Sequence, residues 1–229
     1  MKIAILVDGG FYRRRADKFF GKKTSSERID ELIDYCKKHI SSEEIDLDDE
    51  RLYRIFYYDC PPMDRRVYHP FLKKNVFFKE TPLYIWMTEF IELLKKQRKV
   101  AVRLGKLADT QVNYSIWPKA IKELCDGTRS FSDLTEKDFY IDVDQKGVDM
   151  KIGIDIASLA YKKQVDRIVL ISGDSDFVPA AKLARREGID FILDSMCSHV
   201  KPELHEHIDG LITFCDDSTK HTIGKATKK

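Results

Sequence analysis

No apolar run in this 229-residue chain approaches 18 residues, so no membrane span and no membrane partner is expected. The chain opens directly into a strand-like segment, without the charged and apolar pattern of a signal peptide. Cysteine is sparse and scattered, at positions 36, 60, 125, 197 and 215, with no C-x-x-C. An odd, dispersed set argues against a disulfide framework, and a reduced, cytoplasmic protein is expected. Net charge is only +2, with charged residues at 34%, which describes a soluble, ordered chain and by itself predicts no nucleic-acid binding. Local basic clusters do occur, at 13–18 (RRRADK), 21–23, 95–99 and 184–186, and each alone reads as a solvated helix face. His199, His205 and His207 lack a cysteine or histidine partner at zinc-like spacing, so no zinc is assigned. No internal repeat is visible.

What the chain does have is a succession of short, continuously apolar, β-branched runs. Ile3–Val7, Leu52–Tyr58, Val100–Leu104, Arg167–Ile171, Ile189–Leu193 and Leu211–Phe214 read as strands. Continuous rather than alternating apolarity suits parallel strands covered on both faces. Between them, helical spacing of apolar residues appears over 28–40, 83–97, 149–163 and 177–187, the last ending at Gly188 with Pro179 in its first turn. Alternating strands and helices define an α/β fold with a central, mostly parallel sheet. A single domain over 1–217 is expected, with a less regular segment at about 107–147 and a basic, flexible tail at 218–229. Trp86 and Trp117 read as packing residues. Phe19-Phe20 and Phe77-Phe78 suit either a core or a homodimer face.

Aspartates recur where the apolar runs stop. "KIAILVDGGF" delivers Asp8 at the end of the first strand, and "IVLISGDSDF" delivers Asp174 and Asp176 just past another. In open parallel sheets, ligands bind beyond the carboxyl ends of the strands at the topological switch point. Gly9 and Gly10 would keep that edge open, and Gly173 would let the chain turn before Asp174. Asp149 opens a helix, and at 100° per residue it lies within about 60° of Ile152 and Ile156 on the sheet-facing side. Asp155 is rotated roughly 120° from Asp149 and is the outlying fifth candidate. Single explanations exist for each, as turn residues or helix caps. Together they describe crowded carboxylates, which a hard divalent cation, Mg²⁺ or Mn²⁺, makes tolerable. That chemistry belongs to phosphoryl transfer.

At these residues the sequence resembles the NYN domains, specifically the LabA-like branch of the PIN-like nuclease superfamily. "AILVDGGFY" at 4–12, "KGVDMKIGIDIASLAY" at 146–161 and "VLISGDSDFVPAAKLARREGIDF" at 169–191 carry the likeness. The resemblance implies a PIN-like three-layer sandwich, an acidic Mg²⁺ or Mn²⁺ pocket and hydrolysis of RNA. By position, Asp8, Asp149, Asp174 and Asp176 would hold metal, Asp155 would be a fifth acid, and Ser172 would orient a carboxylate. Single-stranded RNA is the substrate that the family implies. Many NYN members carry an asparagine shortly after the first aspartate, where this chain has Gly9-Gly10-Phe11. That departure keeps open a second reading, a non-catalytic RNA-binding module that retains the acidic pocket. A small-molecule phosphohydrolase ranks below both, because its nucleophile motif D-x-D is absent at Asp8. Arg13, Arg14, Arg15, Lys146 and Lys151 are the expected phosphate contacts, and Phe11 and Tyr12 could stack bases.

Overall fold

A computed structural model of the chain describes residues 1–216 and 219–221, apart from 42–45, 48, 109–111, 142 and 144. The elements in order are β1 (Ile3–Asp8), α1 (Gly9–Phe20), α2 (Ser25–Lys38), β2 (Leu52–Asp59), β3 (Arg66–His69), β4 (Lys74–Phe77), α3 (Pro82–Leu94), β5 (Val100–Leu104), β6 (Lys106–Leu107), β7 (Tyr114–Ile116), α4 (Pro118–Cys125), β8 (Phe139–Ile141), β9 (Gln145–Lys146), α5 (Val148–Tyr161), β10 (Arg167–Ile171), α6 (Val178–Arg186), β11 (Asp190–Asp194), α7 (Pro202–His205), β12 (Gly210–Leu211), β13 (Thr213–Asp216) and β14 (Thr219–His221). Of the tail expected at 218–229, only 219–221 fall among the described residues, and they form β14.

Six strands build the central sheet in the order β12-β11-β10-β1-β2-β5, and every pairing is parallel. Side chains alternate across each strand. Ile3, Ile5 and Val7 therefore point to one face, where they meet α1, α2 and α3 through Tyr12, Leu32 and Phe90. Ala4 and Leu6 point to the other, where α5 and α6 contribute Ile152, Ile156 and Ala181. Both faces are covered, which is why the strands read as unbroken apolar runs. The result is the expected helix–sheet–helix sandwich.

The sheet grows from β1 outward in two directions. The chain first adds β2 and β5 on one side, then returns to add β10, β11 and β12 on the other. The seam between β1 and β10 is thus the topological switch point. The segment expected to be irregular is a small lobe of antiparallel pairs, β6 with β9 and β7 with β8, plus α4. Trp117 is not a core residue: it is 49% exposed and stacks on Tyr140 at the lobe surface. Trp86 does pack, lying flat on Phe90 and donating its indole N–H to the Lys23 carbonyl.

Cysteine pairing differs from the all-thiol expectation. Cys36, Cys60 and Cys125 are free, whereas Cys197 is disulfide-bonded. Dispersed spacing concealed this, because pairing depends on which loops the fold brings together. Among the described residues no helix is long and apolar enough to cross a membrane.

Candidate active site

β1 and β10 run side by side with Val7 opposite Ile171. The next residue on each strand is therefore Asp8 and Ser172, and they meet: Ser172 Oγ donates to Asp8 Oδ2 at 3.2 Å. The same hydroxyl oxygen accepts from the Asp174 backbone N–H at 3.3 Å. Ser172 is fully buried, so this hydroxyl sits fixed between the two acid-bearing turns. The other Asp8 oxygen accepts from the Phe11 N–H, capping α1. Asp174 likewise caps its own turn, accepting from the Asp176 N–H at 3.0 Å. The capping and the acidic-site readings of these residues therefore hold together: capping fixes each carboxylate at the rim.

Electrostatics join Asp149 to the group. The Asp8 carboxyl is raised above its ordinary pKa, first by burial and also by the negative charge of Asp149, with Arg14 opposing. Asp149 is raised by burial and then by Asp174 and Asp176. Asp149 stands in the first turn of α5, where the helix dipole favours a negative charge. Asp149 thus links Asp8 on one strand end to Asp174 and Asp176 beyond the other. Among the described residues, however, no three His, Cys, Asp or Glu side chains are drawn together closely enough to grip an ion. The donor set fits a hard divalent cation by its chemistry, all carboxylate oxygen with two members pushed toward protonation by burial and mutual charge.

Asp155 stands apart from the four. Its carboxylate accepts from Tyr58 Oη at 2.9 Å and from Arg103 Nε at 3.3 Å, so a cation already balances it. Asp59, which sequence reading passed over, ends β2 beside Asp8 and is 1% exposed. Arg13 grips it with two bonds at 3.0 and 3.1 Å, and Tyr57 Oη and the Cys60 N–H also donate to it. The signal was present: "FYYD" ends a strand on an acid just as "ILVD" does.

The arginine run divides by direction. Arg13 is committed to Asp59, and Arg15 donates through Nε and Nη2 to the Met196 carbonyl. Those two are structural contacts rather than the expected phosphate ligands. Arg14 is exposed and acts on Asp8. Tyr12 is also internal, wholly buried with its hydroxyl donating to Glu31, and cannot stack a base. Phe11 packs toward Gly173. A Cβ on Gly173 would sit 2.6 Å from the Phe11 ring, and one on Gly9 would sit 2.4 Å from Tyr57. Both glycines are needed for close approach, not for an open edge or a special turn.

Lys146 and Lys151 are exposed, before and after Asp149. Lys146 lies directly opposite Lys106 in the β6–β9 pair. Like charges placed opposite each other in a ladder are unfavourable unless an anion accompanies them. Gly105 seats this ladder against the rim, since a Cβ there would meet the Lys146 carbonyl oxygen and the Val148 side chain within 3 Å.

A parallel sandwich with acids at its switch point is the architecture of a PIN-like nuclease domain. The chain belongs to the NYN domain family, whose model matches residues 74–214 and so includes Asp149, Asp174 and Asp176. NYN domains are PIN-like and generally nucleases. No curated protein matches the chain. Among solved structures, it is similar to a protein of unknown function, VPA0982 from Vibrio parahaemolyticus, at 16% identity and TM-score 0.47, over 94% of this chain and 93% of that one.

Proposed function

We propose that this protein is a metal-dependent ribonuclease of the LabA-like branch, hydrolysing phosphodiester bonds of single-stranded RNA. The observation that carries the reading is the Ser172 hydroxyl, which ties Asp8 to the Asp174 turn across the β1–β10 seam. Asp8, Asp149, Asp174 and Asp176 would hold Mg²⁺ or Mn²⁺. When bound, the ion supplies charge to the phosphate oxygens and lowers the pKa of a water.

The chain's own residues do the rest. Ser172 holds the Asp8 carboxylate in one orientation, as groups behind metal-binding carboxylates generally do. Arg14 near Asp8 and the Lys106–Lys146 pair with Lys151 near Asp149 in the chain offer phosphate contacts without sequence preference. Raised affinity of Asp8 and Asp149 for protons means that cation and proton compete for the same oxygens.

The test is cleavage of end-labelled single-stranded RNA with Mn²⁺. Wild type cleaves and Asp174→Asn does not; equal cleavage by both defeats the assignment. A second reading, RNA binding without turnover, draws on the separation of the four carboxylates. It predicts Mn²⁺-independent RNA binding with intact substrate recovered after long incubation.

A further inference from the structure

The β3–β4 hairpin carries a compact positive surface. Residues 64–79 hold Arg65, Arg66, Lys73, Lys74 and Lys79 against the single acid Asp64, in a chain whose total charge is +2. Register and pleat sort its side chains. Val67 pairs with Val76, and buried Val67 and His69 turn inward, where the His69 ring packs 4.0 Å from Tyr114. Arg66 pairs with Phe77 and Tyr68 with Asn75, and all four are exposed on the opposite face.

That outward face has the composition of a base-stacking surface. Tyr68 is 55% exposed and Phe77 is 44% exposed. The Arg66 guanidinium lies 4.4 Å above the Phe77 ring. Two aromatic faces, an arginine plane and flanking lysines combine π-stacking with backbone neutralisation. A groove beside the hairpin continues the surface through Arg65, Pro70, Asn113 and Tyr114. An apolar protein partner fits poorly, because the aromatics are interleaved with cations. A polyanion with flat unpaired bases fits both features at once.

Placement links the hairpin to the rim. It leaves the sheet immediately after Asp59 and Cys60, at the carboxyl end of β2, the strand next to β1. Cys60 and Gly105 in turn touch the Lys146–Val148 segment that leads into Asp149. A strand lying on the hairpin therefore runs toward the acids.

We propose that the outward face of the β3–β4 hairpin is a docking platform for single-stranded nucleic acid, RNA on the ribonuclease reading above, that feeds the acidic rim. The test measures binding, not cleavage. Fluorescence anisotropy of labelled oligonucleotides of about 12 nucleotides, a length within single-strand site sizes, is recorded in EDTA. Tyr68→Ala/Phe77→Ala is expected to weaken binding of unpaired RNA roughly tenfold or more, from stacking lost at two bases. Arg66→Glu, on the outward face, is expected to weaken it and flatten its salt dependence. Lys162→Glu, beyond the far end of α5, is the charge control and leaves binding unchanged. A DNA strand of the same sequence separates the two sources of unpaired bases, and hairpin-dependent binding of either supports the platform. Unchanged affinity in both hairpin variants overturns it, as does an equal loss on duplex RNA, which offers no free bases. Circular dichroism verifies that the variants fold. Cleavage by wild type with hairpin-independent binding would remove the platform and leave the nuclease; hairpin-dependent binding without cleavage would do the reverse.

Discussion

Ser172 donates its hydroxyl to Asp8 across the seam between the two central strands, and takes the Asp174 N–H on the same oxygen. One hydroxyl thereby sets the spacing of two acid-bearing turns that are distant in sequence. Ser172→Ala removes both bonds while changing little volume. Groups that orient metal-binding carboxylates typically matter about 10- to 100-fold, so a loss of that order in RNA cleavage is expected. The Mn²⁺ concentration for half-maximal activity should rise in parallel. Unfolding should remain cooperative, because the β1–β10 ladder is untouched.

Asp8→Asn separates function from folding. Asparagine still caps α1, and it removes the buried negative charge. On the ribonuclease reading, cleavage should fall at least about 100-fold, since one of the four proposed metal-holding carboxylates is lost. The metal-free protein should become more stable than wild type at neutral pH. The sign follows from the raised Asp8 pKa: the folded state holds that proton more tightly than the unfolded chain. The contribution of Asp8 to wild-type stability is therefore fully present below the ordinary carboxylate range and is lost as pH rises through the folded value. Thermal melts from pH 4 to 7 check this. The gap between variant and wild type should open with pH, and Mn²⁺ should raise the wild-type Tm alone.

Arg13→Ala leaves the buried Asp59 carboxylate without its cation. Breaking a buried pair from one side costs about 3 kcal/mol or more. Urea unfolding should show that loss, and Arg13→Ala/Asp59→Asn should recover most of it. Arg13→Lys should fall between, because a lysine cannot reproduce the two-pronged contact.

Arg14→Ala should behave in the opposite manner. Its side chain is exposed, so stability should change by no more than about 0.5 kcal/mol. RNA affinity should fall, and the slope of log affinity against log salt should drop by about 1, the signature of one phosphate contact.

Much of this architecture could be read along the chain. The unbroken apolar runs located all six sheet strands to within a residue or two, save that the last run divides at Ile212 into β12 and β13. Asp8, Asp149, Asp174 and Asp176 were legible because each ends a strand or opens a helix. Helix α1 was not, since Gly-Gly and three arginines disguise its start, although buried Tyr12 and Ala16 stand four apart. Asp59 was passed over because the apolar run at 52–58 stops one residue short of it. The fates of Arg13 and Arg15 could not be deduced: their partners, Asp59 and Met196, are neighbours only in three dimensions. Local pattern reveals what a segment is, while pairing over long range decides which charges remain free.

The position of β1 has a bearing on synthesis. This strand precedes every other strand of the central sheet yet lies in the middle of it, with β2 on one side and β10 on the other. During translation it can pair with β2 early, but its second neighbour, β10, is made only after β2, β5 and the antiparallel lobe. Asp8 must wait for Ser172, Asp174 and Asp176 throughout that interval. The acids of the rim are therefore gathered late, by the closing of the last central seam rather than by any local turn.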